Sequence, residues 1–359
     1  MRKKIIFILP SFSGGGAEQV IITLINHINR EEFDPILIVI NESGPLRYKL
    51  ESDIRVIDLK SKRLRSGFLS LILMLRSESP EIIISTFGYL NVFLLAIRPL
   101  LHSRPRIIIR EANTPSKSIS FNRYSLFLKF LYKRLYKKAN KVICNSDIVI
   151  REISENFNVP SPIVYKLHNP IDTMHIQSEA KILSQLRNEK LQFVAAGRLS
   201  YQKGFDLLIE DFSRSPINYN LTILGLGPDH DILKHAIQKH GLEKRVKLEG
   251  FQENPWSFFA SADALLISSR WEGMPNVALE ALACGTPIIA TPESGGILEI
   301  KEKSVRGSVT IARSGSEFVD ALLSVKKLGN KKVRPSLLGD PWDISRIIKD
   351  FEKLLIATD

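Results

Sequence analysis

Ser269-Arg-Trp-Glu272-Gly-Met-Pro-Asn-Val-Ala-Leu-Glu280-Ala-Leu-Ala-Cys-Gly285-Thr-Pro-Ile-Ile-Ala-Thr291 is the stretch that decides the fold. It follows Ala264-Leu-Leu-Ile267, an apolar run of strand length. Pro275 suits the first turn of a helix, where its missing N–H would lack a partner anyway. Gly285 suits the stop. Between them Glu280 is the only charged residue. A carboxylate on so apolar a helix is costly to bury without a hydrogen-bond partner. Pro287 to Ala290 then reads as the next strand. In open α/β sheets ligands collect beyond the carboxyl ends of the strands, so Glu272 and Glu280 are both expected there. The alternative is a solvated loop glutamate and the polar stripe of a surface helix.

The same rhythm runs outward in both directions. Lys4 to Leu9 is a buried strand entering the Gly14-Gly15-Gly16 turn, with a helix from Ala17 to Asn29 behind it. Pro35–Ile40, Ile54–Leu59, Ile82–Ser85, Ile107–Arg110 and Lys141–Cys144 read as further strands. After His168-Asn-Pro-Ile-Asp172 the pattern restarts with Gln192–Ala196, Leu221–Leu224 and Val246–Leu248. Near-continuous apolar strands alternating with helices predict parallel sheets covered on both faces. The fold class is therefore α/β, with two doubly wound Rossmann-like domains. Residues 1–170 and 171–342 form the domains, a hinge falls within 171–190, and an amphipathic helix over 343–359 packs back on the first domain.

A length of 359 residues fits two domains. Apolar and charged fractions of 44% and 25% are those of a globular protein without a membrane span. The first apolar run is too short for a secretory signal. Cys144 and Cys284 lack metal-ligand spacing and read as buried thiols of a reducing compartment, the cytoplasm. The net charge of +12 is unevenly placed: Lys and Arg number 26 against 14 acids up to Pro170, and 24 against 24 beyond it. A basic first half attracts an anionic partner.

Gly197-Arg198-Leu-Ser-Tyr-Gln-Lys203-Gly204 follows the first strand of the second domain. Its Arg and Lys can bind a diphosphate, one as a planar fork and the other as a point charge. A solvated surface turn is the alternative. In this order before Glu-Gly-Met-Pro, Glu280-Ala and Gly-Thr-Pro-Ile-Ile-Ala-Thr, the segment resembles the GT4 family of retaining glycosyltransferases, with their Glu-x7-Glu signature. The resemblance spans essentially the whole chain. It implies the GT-B fold, two domains facing a cleft, and transfer of a hexose or N-acetylhexosamine from a nucleotide-sugar. It implies that Arg198 and Lys203 neutralise the diphosphate, Glu280 binds ribose hydroxyls and Glu272 contacts the transferred sugar, so that Glu272, Arg198 and Lys203 carry the catalysis.

Around these residues, Gly197, Gly273, Met274, Pro275 and Asn276 are expected to line the donor, with backbone N–H groups aimed at sugar and phosphate. Phe251, in Gly250-Phe251-Gln252, lies beside the nucleobase or in the core. Ser294-Gly-Gly296 followed by Glu299 resembles a further donor-side turn, shifted in position. Neither a cofactor nor an obligatory metal is expected, since Arg198 and Lys203 can stabilise the leaving group. The nucleotide is read as UDP, with GDP-mannose the competitor.

Gly14-Gly15-Gly16-Ala-Glu18 can cradle a phosphate at a helix N-terminus, and Gly-Gly-Ala-Glu resembles the family's N-terminal motif, bordering acceptor and donor phosphate. Gly15 and Gly16 are accordingly placed with the donor and Glu18 with the acceptor. Arg110, Glu111 and Asn113 join the acceptor side. Many relatives carry a His where this chain has Glu111, and a local Arg110–Glu111 ion pair is the alternative. Phe121 to Lys138 mixes aromatics and Leu with six basic residues and no acid, as on a helix lying in a lipid headgroup plane or packed in the core. Leu64–Arg76 and Tyr89–Arg98 read as core helices. The chain is thus expected to bind an anionic membrane surface through its basic first domain, at the inner face of the membrane. It would extend a polyprenyl-diphosphate-linked saccharide in surface polysaccharide assembly. A GT-B enzyme with a soluble acceptor, a sugar-nucleotide epimerase and a basic nucleic-acid-binding protein are the rivals. The last lacks any nucleic-acid module.

Overall fold

The computed structural model describes residues 2–61, 64–121, 124–183, 190–216, 219–328 and 333–357. The chain forms two compact units, Met1–Pro170 with Ser345–Asp359, and Ile171–Ile344. The expected hinge includes residues 184–189, which lie outside the described residues.

The first unit holds a seven-stranded sheet of β1 (Lys3–Leu9), β2 (Phe33–Val39), β3 (Arg55–Asp58), β4 (Ile82–Thr86), β5 (Arg106–Glu111), β6 (Lys141–Cys144) and β7 (Val164–Lys166). Their order is β3-β2-β1-β4-β5-β6-β7, and every pairing is parallel. Ile6, Ile8, Ile107 and Ile109 pack on one face with Leu71, Leu94, Tyr132 and Ile153 from the crossover helices. On the other, Phe7 meets Phe351 of the helix Ile344–Ile356 at 6.3 Å between ring centroids. Burial on both faces explains why these strands read as unbroken apolar runs.

The helix Ile344–Ile356 buries Ile347, Ile348, Phe351, Leu354 and Leu355, one apolar stripe at helical spacing. Its last carbonyls meet cations of the sheet. Arg106 donates to Leu355 O and Ala357 O at 2.7 Å each, and the buried Lys141 Nζ donates to Leu354 O and Ala357 O at 2.8 and 2.9 Å. These contacts satisfy carbonyls that a helix end leaves open and place positive charge at the negative end of its dipole.

The second unit holds a six-stranded parallel sheet of β8 (Leu191–Ala196), β9 (Tyr219–Leu224), β10 (Val246–Gly250), β11 (Ala264–Ile267), β12 (Ile288–Ala290) and β13 (Val309–Ile311), in the order β10-β9-β8-β11-β12-β13. In each unit the winding direction reverses once, between β1 and β4 and between β8 and β11. Such a switch point opens a crevice beyond the strand ends.

Three expectations need correction. The edge strands β7 and β13 were not anticipated: each has three residues and a single neighbour, too short to display a period. Phe121–Lys138 is not one helix. Pro115–Ser120 is a separate short helix, Ser125–Leu135 follows, and Tyr136–Lys138 closes as a 3-10 turn; Asn122 and Arg123 lie outside the described residues. Pro275 is the N-cap of the helix Asn276–Ala283 rather than its first residue.

Candidate active site

In the second unit, β8 and β11 deliver their following loops side by side at the switch point. Lys203 ends a 3-10 turn, Tyr201–Lys203, and its Nζ forms an ion pair with the Glu272 carboxylate. Both side chains are largely buried, 18% and 10% exposed. Ser269 Oγ donates to the same carboxylate at 2.9 Å, and Gln202 Nε2 donates to Trp271 O at 3.0 Å. The two loops are also joined through their backbones, Arg270 N donating to Gln202 O at 2.8 Å and Ser268 Oγ to Lys203 O at 3.0 Å. Gly204, at φ 62°, lies where a Cβ would collide with Ser268 O. Only glycine lets the two loops close to this spacing. Arg270 completes the clamp with a two-pronged pair to Asp206 at 2.6 and 2.8 Å while stacking on the Tyr201 ring.

Glu280 is buried, and its Oε2 accepts a hydrogen bond from Trp256 Nε1 at 3.2 Å. A partner for the carboxylate on this apolar helix is therefore an indole 24 residues upstream. Nothing in the spacing could have signalled it, because Trp256 starts a helix after β10. The ring also packs in a T-shaped contact with His175, 5.4 Å between centroids. Gly285 has φ 73°, as a helix stop requires.

Gly273, Met274 and Pro275 are buried and Asn276 is half-buried. Gly273 O accepts from Gly296 N at 2.8 Å, so the Ser294–Gly296 turn packs on this loop. Glu299 pairs with Lys303 Nζ at 2.7 Å. Arg198 is exposed, and its guanidinium has no protein partner among the described residues, whereas the Lys203 stem runs across Gly197. Phe251 is half-buried after the edge strand β10. An Asp-x-Asp triplet, Asp229-His230-Asp231, is present at the start of the helix His230–Lys239, with Asp231 fully in solvent. The expectation of a metal-free site thus draws on Arg198 and Lys203 and gains nothing from the absence of an Asp-x-Asp sequence, since the chain contains one.

In the first unit, Gly15 caps the helix Gly16–His27. Glu18 folds back over it, where its carboxylate accepts from Ser13 Oγ at 2.7 Å and would meet any Cβ at Gly15. The glycine turn thus holds an internal carboxylate. Asn113 Oδ1 accepts from Thr114 N at 2.9 Å. Arg110 and Glu111 are adjacent strand residues and project to opposite faces, so the local ion pair does not form. Arg110 Nη2 donates to Asn169 Oδ1 at 2.6 Å, and its buried Nη1 has no hydrogen-bond partner among the described residues. Burial lowers the Arg110 pKa to about 10. Glu111 accepts from Tyr136 Oη at 2.7 Å, and Tyr136 also receives a bond from Asn91.

Burial raises the Glu111 pKa to about 7, against the smaller opposing pull of the Tyr136 hydrogen bond and the Arg110 charge. Folding therefore favours the protonated form. A raised acid binds more protons folded than unfolded, so stability is lost as pH rises from the unfolded value of 4.5 through about 7. The loss amounts to about 3 kcal/mol. Glu111→Gln keeps an acceptor for Tyr136 and cannot ionise. We expect it to unfold at higher denaturant than wild type at pH 8 and at nearly the same denaturant at pH 4.5. Equal unfolding midpoints at pH 8 would show that Glu111 carries no such penalty.

The family model for glycosyl transferases group 1 matches residues 177–336, and that for glycosyltransferase family 4 matches residues 14–175. The chain is 30% identical over 312 residues to the N-acetylgalactosamine-N,N'-diacetylbacillosaminyl-diphospho-undecaprenol 4-alpha-N-acetylgalactosaminyltransferase of Campylobacter jejuni, covering 84% of this chain and 83% of that one. It is 24% identical over 302 residues to the amylovoran biosynthesis glycosyltransferase AmsD of Erwinia amylovora, with 84% of each covered. Among solved structures it resembles Anabaena HepE in complex with UDP and glucose, with a TM-score of 0.79, 20% identity and 99% of each chain covered. Two all-parallel sheets with their charged loops at the switch points, matched on this scale, make the chain a member of glycosyltransferase family 4, an enzyme of the GT-B fold.

Proposed function

We propose that this enzyme moves a hexose or N-acetylhexosamine from a UDP-linked donor to a polyprenyl-diphosphate-linked saccharide, with retention of configuration. The observation that carries the reading is the Lys203–Glu272 pair, clamped between the loops after β8 and β11. A departing diphosphate can draw Lys203 from Glu272, freeing that carboxylate for sugar hydroxyls. Arg198, exposed and unengaged by protein among the described residues, supplies the second cation. As the sugar C1–O bond breaks, these two charges stabilise the leaving diphosphate. The acceptor oxygen bonds C1 on the same face, and its proton passes to the departing diphosphate. Glu280, held by Trp256, binds the ribose.

The lipid-linked acceptor is supported by the name of the Campylobacter relative, and the uracil base by the HepE complex. The setting is surface polysaccharide assembly at the inner face of the cytoplasmic membrane. No helix among the described residues is long and apolar enough to cross a membrane. No resident cofactor or metal is required in this reading.

Thermal unfolding in the presence of UDP, GDP, ADP and their common sugars tests the donor site. A UDP-sugar at about 100 times its Kd stabilises the native state by roughly 2.7 kcal/mol, or about 5 °C. The shift should survive EDTA, as should transfer, and should vanish in Glu280→Ala. Stabilisation by GDP-mannose alone would replace the base. Strict loss of turnover in EDTA would defeat the metal-free mechanism and turn attention to Asp229 and Asp231.

A further inference from the structure

Lys203 stands at the end of the three-residue turn Tyr201–Lys203. The turn closes through Lys203 N donating to Ser200 O at 2.9 Å and Gly204 N donating to Tyr201 O at 3.3 Å. Bonds of this 3-10 type have poorer geometry than α-helical ones, so the bearing of the lysine stem depends on what packs against the turn. Arg270 does so at three points. Its backbone N–H donates to Gln202 O at 2.8 Å, its Nη1 donates to Tyr201 O at 2.8 Å, and its guanidinium carbon lies 3.9 Å from the centre of the Tyr201 ring. The same guanidinium holds the Asp206 carboxylate, with Nη1 at 2.8 Å and Nη2 at 2.6 Å. Asp206 follows Lys203 in the first turn of the helix Phe205–Ser213. One side chain thus joins the chain before Lys203 to the chain after it, and it does so from the loop that carries Glu272.

We propose that Arg270, oriented by Asp206, is a positioning residue of the donor site: its planar fork fixes the turn so that the Lys203 ammonium meets the diphosphate of the nucleotide. The inference rests on the functional reading above for the role of Lys203 and adds the group that enforces it. Arg270 contributes geometry here rather than a third cation. Its charge is matched by Asp206, its flat face lies on Tyr201, and its side chain is 18% exposed. A lysine would bring the charge without the fork. A misplacement of about 1 Å near the reacting atoms can cost about 10²-fold. The fork spans Tyr201 and Asp206, on either side of Lys203, and so restrains the backbone from which the lysine stem departs.

The test measures binding of UDP by isothermal titration and of uridine, which lacks the diphosphate, by NMR titration, on full-length protein whose variants unfold cooperatively on heating. Lys203→Ala should weaken UDP binding by about 10- to 100-fold. Arg270→Lys and Asp206→Asn, in separate proteins, should each weaken it by about tenfold. All three should bind uridine within about twofold of wild type. Arg270→Lys/Lys203→Ala should bind UDP within about twofold of Lys203→Ala alone, because a residue that acts through the lysine adds nothing once the lysine is gone. The sign of the Asp206→Asn effect separates position from charge. Removing an anion from the site would tighten UDP binding if Arg270 or the local potential acted on the diphosphate directly, and that result would overturn the proposal. Wild-type UDP affinity in Arg270→Lys would overturn it too, as would equal losses of UDP and uridine, the mark of general support for the fold, or full additivity with Lys203→Ala. Unchanged UDP binding in Lys203→Ala would instead sink the functional reading and this inference with it, whereas a loss confined to Lys203→Ala would sink the inference alone.

Discussion

Lys203→Ala is expected to lower kcat by about 10²–10³-fold at saturating donor, the effect of removing one preorganised donor from a developing negative charge. The structure adds a second, separable consequence. Lys203 is also the ion-pair partner of a carboxylate that is 10% exposed. Removing one member of a nearly buried pair leaves the other charge uncompensated. Ser269 and Gln202 still donate to Glu272, so the stability loss should be about 2 kcal/mol rather than the full penalty for a stranded charge. Lys203→Ala/Glu272→Gln should recover that stability, because a neutral amide no longer needs the cation, yet remain inactive. Stability from a denaturant titration and kcat from a transfer assay together separate the two roles. If kcat recovered along with stability in the double variant, or stayed near normal in Lys203→Ala, the lysine would be a structural clamp and the diphosphate would be held elsewhere.

Glu280→Ala should act on the donor rather than on the chemical step. Hydrogen bonds to a charged acceptor contribute about 1.5–3 kcal/mol each. Loss of two ribose hydroxyl contacts would lower kcat/KM by roughly 10²–10⁴-fold, mostly through a higher KM. The same change strips Trp256 Nε1 of an acceptor in the buried interior, so some stability should go as well. Glu280→Gln distinguishes the causes. It retains an oxygen for the indole and loses only the charge. It should therefore keep most of the stability and still bind donor poorly. A Glu280→Ala enzyme that melts earlier but keeps its donor KM would make Glu280 a partner for Trp256 and nothing more.

The strand, loop and helix that carry Glu272 and Glu280 were legible to a large degree because they are local in sequence. Strand, loop, Glu272, helix, Glu280 and stop lie within a single βαβ unit, and Pro275 and Gly285 punctuate it within one position of where they stand. The polar residues of the first unit were harder to read. Arg110 and Glu111 are neighbours in the chain, but strand geometry sends them apart, one to Asn169 and the other to Tyr136. The glycine turn looked open to phosphate, and Glu18 lies over it.

From sequence alone came most of what depends on short-range periodicity and on chain order: two parallel α/β units, the central strands, the apolar helix with its carboxylate, and the uneven charge. Tertiary structure alone decided the pairings between distant residues. Lys203 meets Glu272 because β8 and β11 are neighbours in a sheet whose order is not the chain order. Trp256 meets Glu280, and Arg106 with Lys141 meets the final helix, through packing between elements far apart in the chain. It also decided which side of the helix Ser125–Leu135 is core and which is surface, since Tyr132 and Phe130 are both aromatic and only packing separates them. The physical reason is common to all these cases. Propensity and hydrophobic period act over a few residues, whereas a buried charge or an exposed ring is settled by what the fold brings against it.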